Sequence, residues 1–228
     1  VRADGKRWFC LRSDGDDCAD GCDPAGTPYD VSSHRFTADG VIDGEVVYPS
    51  RAALRATLTG GDPADREAVG AAAECVVTRL RRSKQHPLGP PTPEAFEAIV
   101  DAELEWMRRR VDAVLEDGQR LDAEDAGRLL GGLTEVALRD AAWCGMSRAD
   151  ARRLVDLWRD LLRRAPDAYA APAAGVLAFA AWLAGDGALA WCAVDRCHEI
   201  EPENTLAALV GATLTGAVPP STWEAWAG

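Results

Sequence analysis

From Asp62 onward, apolar residues recur along the chain at intervals of three and four, the period of a helix with one buried face. Phe96, Val100, Leu104, Met107, Val111 and Val114 form one such stripe. It lies on a long helix predicted to open at Thr92-Pro93 and to close at Gly118. Before it, Asp62-Pro63 supplies an N-cap and a first-turn proline for a helix to about Ser83, and His86-Pro87 stops it. After it, Asp122 caps a helix predicted to continue through Leu129, Leu133, Val136 and Trp143, with Gly131-Gly132 a soft spot inside it. Ser147 with Asp150 resembles a capping box and opens a helix carrying Leu154, Val155, Leu157, Trp158, Leu161 and Leu162, which ends at Ala165-Pro166. Shorter helices are expected at about Ala173 to Ala184, Gly187 to Ile200 and Thr205 to Leu214. Ser221 with Glu224 forms a capping box for a last turn bearing Trp223 and Trp226.

The first sixty residues read differently. "RWFCLR" has the pattern of a short strand, an acidic glycine-rich loop runs from Ser13 to Asp30, and "EVVYPS" reads as a second strand entering a helix capped by Ser50. The expected fold class is therefore mainly α: helical hairpins with a small α/β N-terminal cap. The domains expected are a mixed cap with a Cys-rich acidic loop over 1–60, a helical connector over 61–118 and a helical-hairpin domain over 119–228. Within the last, "LAGDGALAWCAVDRCHEIEPEN" resembles a tetratricopeptide hairpin. Leu177 and Ala178 fall where the first helix packs, Gly185 at the turn, Ala190 at the crossing, Cys197 at a late small position and Pro202 at the end. Pro166 and Pro202 lie 36 residues apart, near the tetratricopeptide period of about 34.

Composition narrows the partners more than the chemistry. A formal net charge of −12 opposes nucleic acid and anionic membrane, which both require a basic face. The clustered cations Arg79, Arg81, Arg82 and Lys84, and likewise Arg163 and Arg164, are expected at helix C-termini, complementing the macrodipole. The most apolar stretch, Ala170 to Ala184, is too short to span a bilayer. Seven cysteines is an odd number, against a fully paired disulfide framework. Cys75, Cys144, Cys192 and Cys197 fall in helical runs, where thiols behave as small buried hydrophobes, so a cytoplasmic setting is expected. The chain begins at Val1 without a signal-peptide pattern, and is read as a piece of something longer.

Candidate chemistry is sparse. Cys18 and Cys22 have a zinc-ligand spacing, and Cys10 and His34 complete a tetrahedral set. A finger has two tight ligand pairs and this loop has one, so a Cys18–Cys22 or Cys10–Cys22 disulfide and free thiols stand as alternatives. No cofactor is expected, with structural zinc at this loop the alternative. A calcium loop starting at Asp16 places Gly21 well but puts Thr27 where a bidentate glutamate is required. Ser147 in "GMSRA" joins two helices, whereas a nucleophile elbow joins a strand to a helix, so it reads as a cap. Cys197 and His198 are adjacent on a helix and point about 100° apart. There is no phosphate loop with its lysine. Arg139 and Asp140 sit on an apolar helix, either as a structural charge pair or as a pair facing a ligand or another domain.

The runs "CDPAGTPYD", "EVVYPSRAALRATL", "LTEVALRDAAW" and "RRAPDAYAAPAAGVLAFAAWLAGDGALAWCAVDRCHEIEP" together resemble an actinobacterial family, domain of unknown function 4192. The resemblance is to the family's C-terminal half and implies an upstream α/β half; it carries no biochemistry. Two functions are consistent with the sequence. One is a non-enzymatic helical module contacting a protein partner or the chain's own N-terminal half. The other is an accessory domain of an enzyme or ligand-binding protein whose active half lies upstream.

Overall fold

A computed structural model describes residues 2–4, 7–9, 27–28, 48–84 and 93–224. The chain folds as two compact units, Val1–Ser50 and Arg51–Gly228. In the first, strands β1 (Arg2–Asp4), β2 (Arg7–Phe9) and β3 (Thr27–Pro28) pair antiparallel in the order β1-β2-β3. Ala3 stands opposite Trp8, and Trp8 opposite Thr27. The Cys-rich loop, residues 45–47 of the second strand reading, the linker 85–92 and Trp226 lie outside the described residues.

The second unit is helical, and the fold is mainly α. Its elements are α1 (Arg51–Ala56), α2 (Pro63–Lys84), α3 (Pro93–Asp117), α4 (Ala123–Gly132) and α5 (Val136–Cys144). There follow α6 (Ala151–Arg164), α7 (Asp167–Leu183), α8 (Gly187–Ile200), α9 (Thr205–Thr215) and the turn α10 (Ser221–Glu224). Asp62 accepts from the Ala64 amide at 3.1 Å and so opens α2. The stripe on α3 buries Val100 and Met107. Val100 joins Val76 and Leu80 of α2 and Leu138 of α5 in one cluster, with Phe96, Ile99 and Leu104 against it.

Three sequence expectations change. The helix expected from Asp122 to Trp143 is broken: α4 ends at Gly132 and α5 starts at Val136. Thr134 closes the break, its amide and hydroxyl both donating to the Gly131 carbonyl at 3.3 and 2.7 Å. The glycines are there for packing as well. A Cβ on Gly127 would sit 2.4 Å from the Val69 carbonyl oxygen, and one on Gly131 2.6 Å from that of Ala73. Two glycines one turn apart thus let α4 lie backbone-to-backbone on α2. The helix expected to start near Ala173 starts at Asp167 instead, with Pro172 inside it. A proline in the second turn costs one bond to the first-turn carbonyls and leaves the rest of the helix intact. Finally, Ser147 does not directly cap α6, whose N-cap is Asp150. The Ser147 hydroxyl closes the turn before it, accepting from the Asp150 amide at 3.2 Å and donating to its carboxylate at 2.7 Å.

Helix α7 is the axis of the unit, buried on nearly all sides from Tyr169 to Leu183, which explains its unbroken apolar run. It packs against α4, α5, α6, α8 and α9. Small side chains permit this: Ala173, Ala174, Ala178, Ala180 and Ala181 are fully enclosed. Gly185 takes φ 84° at the end of α7, and the Asp186 amide returns to the Ala181 carbonyl at 2.9 Å, a left-handed helix stop that favours glycine. Asp186 then caps α8 through the Leu189 amide at 2.9 Å. Ala190 and Cys197 on α8 are fully buried. The Cys197 thiol donates to the Ala171 carbonyl at 3.1 Å. No helix among the described residues is long and apolar enough to cross a membrane.

One arginine stands at the helix end expected of it but is buried there. Arg164 is 2% exposed and does not point into solvent at the end of α6. Its guanidinium holds both oxygens of Asp65 on α2, at 2.7 and 3.0 Å, the Leu121 carbonyl at 2.8 Å and Asp160 at 3.2 Å. The Arg164 hydrogen bonds hold the Asp65 carboxyl below its ordinary value, against the opposing effect of burial, and Arg120 adds to the lowering. A buried carboxylate, Glu103 on α3, is held by Arg79 of α2 and by Arg128 of α4 at 3.0 and 3.1 Å.

The close approach of α2 and α4 makes a signed prediction. Helix propensity alone would have Gly127→Ala stabilise the chain by about 1 kcal/mol. The missing space reverses the sign, and we expect a loss of roughly 1–3 kcal/mol by chemical denaturation. Ala190→Trp overpacks the α7–α8 crossing with a loss at least as large, while Glu203→Ala, on an exposed turn, stays within about 0.5 kcal/mol. A Gly127→Ala variant more stable than the parent contradicts this packing.

Candidate functional site: an aromatic cavity

Four aromatic rings from three elements meet at one end of α7. Phe179 and Trp182 lie three residues apart on one face of that helix, Trp143 is in the last turn of α5 and Trp223 belongs to α10. Phe179 is the hub. Its ring centroid is 5.0 Å from Trp143, 5.5 Å from Trp182 and 4.9 Å from Trp223, the last edge-on. Trp143 and Trp223 are 5.8 Å apart. Such offset and edge contacts are worth about 0.5–1.5 kcal/mol per pair beyond area burial.

The indole N–H groups tie the rings to the backbone. Trp182 donates to the Val218 carbonyl at 3.0 Å and Trp223 to the Met146 carbonyl at 3.0 Å, while Trp143 reaches Asp140 at 3.3 Å. The first of these clips the chain after α9 against α7. Here α9 ends in a second left-handed stop: the Val218 amide returns to the Thr213 carbonyl at 3.0 Å, with Ala217 at φ 48°. A left-handed alanine costs about 1–2 kcal/mol. That strain sets Val218 against Trp182.

Between these rings and α9 opens a cavity of about 330 Å³ lined almost wholly by apolar atoms, with Leu209 and Val218 beside it. Both are exposed large hydrophobics, at 49% and 39%. Among the described residues no ionisable side chain lines the cavity. Its chemistry is that of a binding surface: π faces, aliphatic walls and a few oxygen acceptors.

The residues singled out by sequence fall elsewhere. Arg139 and Asp140 pair with each other at 3.0 and 3.1 Å, and Asp140 also receives the Trp143 indole, so the pair braces the cavity wall from behind. Cys10, Cys18, Cys22 and His34 lie outside the described residues. Among the described residues no group of three or more His, Cys, Asp or Glu is placed to hold a metal ion. Cys192 and Cys197 are buried as expected, but Cys75 and Cys144 are exposed, because they occupy the solvent sides of α2 and α5. The cavity was not foreseen. Its tryptophans lie on elements far apart in sequence, with no spacing that marks them as neighbours.

A model of a family described as a domain of unknown function, DUF4192, matches residues 1–221. No curated protein and no solved structure matches the chain.

The thiols give a test of this placement. Burial pushes the Cys197 thiol up to about 12, helped by Glu201, and also raises Cys192. Cys144 is raised as well, by partial desolvation of its sulfur and then by Asp140. With iodoacetamide at pH 8 and peptide-level mapping, Cys75 should label first and Cys144 more slowly. Cys192 and Cys197 should label only after denaturation. Early labelling of Cys197 would mean that α8 does not pack on α7 as described.

Proposed function

Because the chain belongs to the DUF4192 family, whose description carries no chemistry, we propose its role from the site: the helical unit is a non-enzymatic module that docks a segment of a partner protein. The observation that supports this most is the aromatic cavity, open beside the exposed Leu209 and Val218 and lined, among the described residues, by no ionisable group. Large rigid aromatics backed by satisfied indole N–H groups are the usual anchors of protein contacts, since they supply contact area at little entropic cost. The α7–α8 pair is read as a tetratricopeptide-like hairpin, on the strength of its left-handed glycine turn, its enclosed Ala190 and Cys197, and the proline after α8. The strands β1 to β3 are read as part of a small N-terminal cap. Free thiols at Cys75, Cys144, Cys192 and Cys197 support a reducing, cytoplasmic setting.

The experiment is site-specific photocrosslinking in cells of the native host. A benzophenone amino acid at position 209 should yield a discrete protein adduct, and Val218→Asp should abolish it. The same group at the exposed position 203 serves as control. Equal adduct patterns at 209 and 203, or an adduct at 209 indifferent to Val218→Asp, would exclude docking at the cavity.

A further inference from the structure

The hydrogen-bond inventory of the cavity goes further, resting on the docking reading above. Among the described residues, every donor that lines it is already spent inside the protein. The indoles of Trp143, Trp182 and Trp223 serve Asp140, Val218 and Met146. The hydroxyls of Thr213 and Thr222 donate to the Leu209 and Pro219 carbonyls at 2.9 and 2.9 Å. The backbone amides of Val218, Thr222 and Trp223 serve Thr213, Pro219 and Pro220. The acceptors are not spent in the same way. Each hydroxyl that donates keeps its lone pairs, and a carbonyl holding one indole has a second lone pair.

Among the described residues the cavity therefore offers ring faces and acceptors, and no donor. A carboxylate or phosphate entering it would lose its hydration and gain no partner, which is costly. An ammonium or guanidinium on an apolar stem meets the opposite situation, with π faces beside its stem and acceptors for its N–H groups. Elsewhere in the unit the chain makes this pairing itself: Arg128 stands 3.9 Å over Trp106 and Lys84 4.8 Å over Phe96. Among the described residues no cation stands over the four rings of the cavity. The net charge of −12 attracts a basic partner over longer range. At about 330 Å³ the cavity is at the small end for ligand sites, and it opens toward exposed apolar residues onto which an occupant can continue.

We infer that the cavity receives a lysine or arginine side chain carried on a basic segment of a partner protein. The test uses three probes with one apolar body: 2-phenylethylammonium, 2-phenylethanol and phenylacetate. Each is titrated into the full chain while the indole N–H resonances of Trp143, Trp182 and Trp223 are followed by nuclear magnetic resonance. The ammonium should bind most tightly, at millimolar strength and about tenfold better than phenylacetate, and its advantage should shrink with added salt. Phenylethanol binding as well as or better than the ammonium, or phenylacetate binding best, overturns the inference while leaving an apolar docking cavity in place. No indole response to any probe removes the docking reading itself. A dissociation constant below about 1 μM for the free ammonium would make this a small-molecule site and overturn the assignment to a protein segment.

Discussion

The helical unit depends on one buried guanidinium. Arg164, at the last position of α6, has water on almost no side, and its charge is tolerated only because four acceptor oxygens surround it. Those acceptors come from three places: Asp65 on α2, the Leu121 carbonyl just before α4, and Asp160 one turn back on α6. The α2–α4 layer is thereby fixed to the hairpins that follow it. Direct packing between the two is thinner than within each, so the polar contact sets their register. Asp65 takes up a proton less readily in the folded chain than in the unfolded one. Its contribution to stability is thus complete above its ordinary value of 3.8 and is lost as pH falls through the lower folded value.

The same junction governs the cavity. Helix α7 starts directly after Arg164-Ala165-Pro166, so the anchoring of α6 sets where Phe179 and Trp182 stand. Trp143 arrives from the other side of the junction, on α5, whose position follows from α4 through the short break at Leu133–Glu135. The aromatic cluster forms only if both layers keep their register. Glu103 plays the matching part for α3, joining it to α2 and α4 through Arg79 and Arg128. Rigid support behind and local strain at Ala217 together suit a surface that is preformed for binding.

Much of this was legible in the sequence, because helices announce their own ends. Asp62-Pro63, Asp122 and Gly185 mark boundaries by local chemistry, and the structure uses each in that way. What the sequence hid depends on contacts far along the chain. Gly131 reads as a weak point within a helix until the carbonyl of Ala73 is placed against it. Arg164 looks like any cation ending a helix until Asp65, 99 residues away, closes on it. The aromatic cavity is hidden most deeply, since nothing local links Trp143, Trp182 and Trp223. The start of α7 at Asp167, ahead of the expected Ala173, was hidden too: proline is tolerated near a helix start, and the buried alanines of α7 hold the first turns in place.

A double-mutant cycle on Asp65 and Arg164 tests the account most directly. Asp65→Ala, Arg164→Met and the double variant are compared with the parent by chemical denaturation at neutral pH. Asp65→Ala leaves the buried Arg164 charge with only Asp160 and the Leu121 carbonyl and should cost about 3 kcal/mol. Arg164→Met leaves a part-exposed Asp65 still beside Arg120 and should cost less. The double variant should recover part of that loss, with a coupling energy of about 1.5–3 kcal/mol. Losses that add to within about 0.5 kcal/mol would show that the pair does not join the two layers, and would contradict the account.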